Sequence, residues 1–145
     1  MKSNSELIGM LKAHKKFEAN MVNLVANLEG KVHTRAAKLL LAEMRLDSRK
    51  HEAILDEVLN TLEDKPQPKQ LWETRIESYV DMQVMKQELE KHMQLEADML
   101  RDAEKEIRET QDEALKTLLT HIAEDEKKHH KNIELIIRKS YAFAP

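Results

Sequence analysis

The chain has 145 residues, the length of one domain that buries a core, and its 35% charged, 41% hydrophobic and only 3% aromatic residues, with 2 Gly and 3 Pro, favour long amphipathic helices over sheets. A formal charge of -3 with acids and bases interleaved leaves no basic stripe to neutralise phosphates, so nucleic acid is not expected as a partner. No apolar run approaches the roughly 18 residues of a membrane span, Met1-Lys2-Ser3-Asn4-Ser5-Glu6 lacks the apolar stretch of a signal peptide, and no cysteine is present for disulfides, thiolate sites or nucleophilic chemistry; a cytoplasmic protein is expected.

Taken in order, Ser3 with Glu6 reads as a capping box that opens a first helix over about 4–30. Thr34 caps a second helix that runs to about 62, where Glu63-Asp64-Lys65-Pro66-Gln67-Pro68-Lys69 breaks the pattern, because proline lacks a donor and restricts the residue before it. A short helical piece over 71–77 is expected within the connection 63–77, followed by a third helix over about 78–107. Thr110 with Glu113 reads as a further capping box for a fourth helix over about 111–139, and Tyr141 to Pro145 form a tail. The expected fold is all-α, one four-helix bundle spanning residues 1–145.

Each helix carries an apolar seam at alternating steps of three and four, the spacing that faces a neighbouring helix. The seams are Leu7, Leu11, His14, Glu18, Met21, Val25, Leu28; Leu41, Met44, Ser48, His51, Leu55, Val58, Leu62; Met82, Met85, Leu89, His92, Glu96, Met99, Ala103; and Leu115, Leu119, Ile122, Glu126, His129, Ile133, Ile136. Polar residues interrupt each seam at one place. Residue 33, in the first turn, is the midpoint of Glu18 and Ser48, and residue 111, in the last, is the midpoint of Glu96 and Glu126. Antiparallel pairing therefore brings the members of each pair to one level.

The two halves repeat at an offset of 78 residues: His14 maps onto His92, Glu18 onto Glu96, Asp47 onto Asp125, Lys50 onto Lys128 and His51 onto His129. Leu11 with Leu89, Met21 with Met99 and Leu41 with Leu119 follow the same offset, which suggests two related helical hairpins.

An unpaired buried charge costs several kcal/mol, so seam positions rarely hold carboxylates and imidazoles unless these are paired or bind a metal. Glu126-x-x-His129 sets both side chains on one face, within reach of one ion. By ligand type alone zinc or copper suit such a group as well as iron or manganese. Without a metal, the same residues would form a polar layer that fixes register, and His14 and His92 would each pair with the glutamate four residues later. The methionines read as core filler. His130 is expected at the surface, His33 in a turn and His121 off the seam.

Ile122-Ala123 followed by Asp125-Glu126-Lys127-Lys128-His129, with Glu96 upstream, resembles the second half of ferritin-like and rubrerythrin-like di-iron proteins, and the resemblance covers nearly the whole chain. Those proteins pair one Glu from each of two helices with a Glu-x-x-His motif from each of the other two. The resemblance implies metal ligands at Glu18, His51, Glu96, Glu126 and His129, joined by His14 and His92 in a histidine-richer site, and imidazole-orienting aspartates at Asp47 and Asp125. Ser48 stands where the family has a glutamate, leaving a position open for water or substrate. Val25 and Ala103 stand where it has a tyrosine.

The resemblance also implies a crossover between the second and third helices. From the site to Thr61 is about 15 Å and from Ser78 back to Glu96 about 27 Å at the helical rise, while the 16 residues between span at most about 55 Å. A third helix starting at Leu71 and Trp72 would instead give an up-down-up-down bundle.

The function so implied is binding of iron, mono- or di-nuclear, or of manganese or zinc, with oxidase or peroxidase chemistry on dioxygen or peroxide. The alternatives are a metal carrier, sensor or structural site without turnover, and a metal-free interaction bundle. A homodimer is compatible with all three. A rubredoxin-type electron chain is excluded by the missing cysteines, and cage storage is disfavoured because nothing resembles a fifth helix.

Overall fold

A computed structural model describes residues 4–73 and 78–141. Ser3, the expected first cap, and the tail after Tyr141 lie outside them, as does 74–77. The described residues are all-α, with four long helices and no strand: α1 (Asn4–Glu29), α2 (Arg35–Asp64), α3 (Tyr79–Glu109) and α4 (Glu113–Ser140), with a 3-10 turn at Pro68–Trp72 in place of part of the expected 71–77 helix. None of these helices is long and apolar enough to cross a membrane.

Local chemistry sets most of the boundaries. Thr34 accepts from the Ala37 N–H at 3.1 Å and opens α2, and Ser78 does the same for α3 through the Asp81 N–H at 3.2 Å. Pro66 stops α2, whose last turn is closed by the Lys65 N–H on the Thr61 carbonyl at 2.7 Å. The expected Thr110 capping box does not form. Asp112 caps α4, accepting from the Leu115 N–H at 2.9 Å, while the Thr110 hydroxyl donates back to the Glu106 carbonyl at 2.7 Å and ends α3. Thr110 is the C-cap residue of α3, so its backbone ends that helix and does not start the next.

The chain divides into two compact units, each an antiparallel hairpin. In the first, α1 and α2 are joined by residues 30–34 and bury Val22, Val25, Leu55 and Leu59 between them. Their ends meet where the Asn4 side-chain amide donates to the Pro66 carbonyl. In the second, α3 and α4 are joined by residues 110–112 and bury Ala103, Ala123 and Ile133.

The expectation that every seam residue is buried needs correction. Leu7, Leu28, Met44 and Val58 in the first hairpin, and Met85, Met99, Leu115, Ile122 and Ile136 in the second, are exposed. Two helices share only one line of contact, whereas a seam built of alternating threes and fours is wider than that line. Each hairpin therefore has two unlike flanks. On one flank of the first hairpin stand His14, Met21 and Leu28 of α1 beside Met44, His51 and Val58 of α2, both rows at seven-residue spacing. The opposite flank is closed by ion pairs across the helices, Lys15 with Asp56 and Arg45 with Glu29, each at 2.6 Å. The second hairpin repeats the first arrangement with Met85, His92 and Met99 of α3 beside Leu115, Ile122, His129 and Ile136 of α4.

Candidate metal centre

Glu18 is the one carboxylate buried between α1 and α2, at 9% exposure. Its Oε1 meets His14 Nε2 from the same helix at 3.3 Å, one turn away, and its Oε2 meets His51 Nδ1 from α2 at 3.4 Å. Both imidazoles are about half exposed, so the charged group points inward and its partners lie on the flank. Ser48, half-buried on α2 one turn before His51, supplies no charge.

The second hairpin repeats this geometry and adds to it. Glu96, at 7% exposure, has its Oε1 3.1 Å from His92 Nε2 and its Oε2 3.9 Å from His129 Nδ1. Glu126, the counterpart of Ser48, brings its own Oε2 to 3.8 Å from the same His129 nitrogen. One ligand atom each from Glu96, Glu126 and His129 thus lies within 4.8 Å of the others. Donor atoms bound to one ion at about 2.0–2.2 Å stand roughly 3–4 Å apart, so this spacing needs only a small contraction to close around a cation.

Three carboxylate oxygens, Oε2 of Glu18, Glu96 and Glu126, are buried without a hydrogen-bond donor. An unsatisfied buried acceptor costs about 1–3 kcal/mol, more when charged, so the one in the first hairpin and the two in the second each ask for a proton or a cation. Glu126 is pushed above the ordinary carboxylate value, first by donating to Glu96 from its protonated form, then by burial and by the charge of Glu96; Glu96 is pushed down, chiefly by accepting from Glu126 and also by its histidines. Below the raised titration of Glu126 the two carboxyls thereby hold one proton between them, as close acidic pairs do. A divalent ion bound there would take the place of that proton and satisfy the same oxygens. Carboxylates with neutral imidazole form a donor set that fits iron, manganese or zinc.

Each expected ligand can now be placed. Glu96, Glu126 and His129 come together, with His92 holding the far oxygen of Glu96. Glu18, His14 and His51 come together in their own hairpin. Asp47 and Asp125, expected behind the imidazoles, stand 3.8 Å from Lys50 and 3.6 Å from Lys128, one turn along their own helices. His130, expected at the surface, is instead half-buried, 3.3 Å from Glu134, beside Glu96 and Glu126 in a groove between α3 and α4. A sequence signal for it exists, since Leu119, Ala123, Glu126, His130, Ile133 and Ile137 also follow threes and fours.

Comparison with protein-family models, with curated proteins and with solved structures finds no match for this chain.

Proposed function

We propose that the protein binds a redox-active divalent metal, iron or manganese, in the manner of the ferritin-like class, and uses it on dioxygen or peroxide. The observation that carries this reading is the group Glu96, Glu126 and His129, whose donor atoms converge while both glutamates keep a buried oxygen without a donor. That the same pattern occurs twice, with His14–Glu18–His51 repeating His92–Glu96–His129, supports a retained purpose for the layer rather than a stray polar contact.

In this reading Glu96, Glu126 and His129 would hold the ion, and Glu18 and His51 are the corresponding donors of the first hairpin. Bound iron or manganese supplies electron transfer and Lewis acidity. His92 fixes Glu96 through Oε1, leaving Oε2 free to donate to the ion, and the short donor set leaves coordination positions open, which reactivity requires.

Cobalt(II) added to metal-free protein should give visible absorption from a His/carboxylate site, abolished in Glu126→Ala. Iron(II)-loaded protein should then consume hydrogen peroxide faster than free iron(II) does. Binding without peroxide turnover favours a carrier or sensor, and absence of binding overturns the proposal.

A further inference from the structure

The two hairpins differ on the flank away from their histidines, and the difference lies next to the carboxylates. In the first hairpin Lys15 of α1 reaches across to Asp56 of α2 at 2.6 Å. The groove beneath this pair, about 390 Å³, is walled by Arg49, Glu52 and Ala53, and its walls do not include Glu18. At the 78-residue offset, Lys15 becomes Met93, Glu52 becomes His130, Asp56 becomes Glu134 and Ser48 becomes Glu126. Methionine offers no charge to bridge the helices. Glu134 turns instead to His130 on its own helix, at 3.3 Å. What is left is a cavity of about 310 Å³ between α3 and α4, with Ala97 and Leu100 on one wall, Lys127, His130 and Lys131 on the other, and Glu96 and Glu126 within its lining. At about 30 Å³ per water this volume holds several small molecules.

We propose that this groove is the path by which a small polar ligand, of the size of hydrogen peroxide or azide, reaches the Glu96–Glu126 carboxylates from the flank opposite the histidines. The small side chain of Ala97 keeps one wall of the groove low, and with Met93 in place of a lysine no ion pair like Lys15–Asp56 bars the path. Lys127 and Lys131 offset two of the three carboxylates in its lining, Glu96, Glu126 and Glu134, so the groove carries little net charge and does not select strongly by charge. The choice of peroxide as ligand rests on the metal reading above; the path itself does not.

The test therefore has one arm with metal and one without. In metal-free protein, diisopropylcarbodiimide with glycinamide labels accessible carboxyls, and mass spectrometry reads Glu126 against the exposed Glu124 of the same helix. Met93→Lys, which restores the bar by pairing with Glu134, and Ala97→Leu, which fills the path, should each slow Glu126 labelling several-fold and leave Glu124 unchanged. Adding Glu134→Gln to Met93→Lys should recover the original rate. Unchanged Glu126 labelling in both single variants, with helicity retained, overturns the path, because it means reagent arrives from the histidine flank. In the second arm, azide binding to cobalt(II)-loaded protein should slow in the same two variants at unchanged metal content. Failure to load cobalt with the labelling pattern intact would sink the metal reading alone. Loading with neither labelling nor azide affected would sink the path alone.

Discussion

Replacing Glu126 by Gln should stabilise the metal-free protein while abolishing its response to metal. In the native hairpin Glu96 and Glu126 each bury an oxygen without a donor and repel one another when both are ionised. A glutamine amide of the same size donates permanently to Glu96 and removes one charge. The gain is of the order of one satisfied buried acceptor, about 1–2 kcal/mol, or roughly 3–8 °C in Tm for a chain of this size. The gain should depend on pH in a defined direction. Because the Glu126 carboxyl is pushed above its ordinary value of 4.5, its favourable contribution is complete below that value and is lost as the pH rises through its raised titration. Glu96, pushed down, contributes in the opposite sense, present above 4.5 and lost as the pH falls through its own lowered titration. The advantage of Glu126→Gln should thus be largest near neutral pH and shrink toward pH 4.5. Thermal denaturation followed by circular dichroism from pH 4.5 to 7.5, with and without zinc, reads both effects. A variant less stable than the parent at neutral pH, or one that zinc stabilises as well as it does the parent, would refute the reasoning.

Other outcomes follow from the same geometry. Metal uptake near the titration of Glu126 should displace the proton it shares with Glu96, so calorimetric binding heats should vary with the ionisation enthalpy of the buffer; buffer-independent heats there would contradict the proton-sharing pair. Leu59→Ala, at a buried position, should cost about 2–4 kcal/mol in urea denaturation, whereas Leu46→Ala, at an exposed one, should stay within about 0.5 kcal/mol. Equal losses would contradict the packing of the first hairpin. Asp112→Ala should cost about 1 kcal/mol by removing the cap of α4, and Thr110→Ala distinctly less in the same assay; the reverse order would restore the Thr110 capping box.

The four helices were legible because their signals are local. Thr34, Pro66 and the three-four seams act within a few residues of where they stand, and the structure places boundaries within about two residues of them. The level of the site was legible too, since a turn fixes which residues of an antiparallel pair are opposite, and that geometry brings Glu96 to Glu126 and Glu18 to His51. Which part of a seam is buried was not. Met99 and Ala103 are neighbours in one seam, yet Ala103 is enclosed and Met99 lies on a flank, because the line of contact between two helices is set by the sizes of both partners. His130 escaped for the same reason, the α4 contact being turned toward the row that contains it. The competition between Thr110 and Asp112 for the α4 cap was likewise undecidable from residue types, since both cap well, and only the Thr110 bond to Glu106 settles it.

The central claim is that Glu96, Glu126 and His129 together hold a divalent metal. The most direct measurement is the metal content, by elemental analysis, of protein purified without added metal, compared with that of Glu126→Ala and His129→Ala prepared identically. The parent protein should carry stoichiometric iron or manganese, and each variant should lose most of it. Equal content in all three, or none in the parent even after reconstitution with iron(II), manganese(II) and zinc, would contradict it.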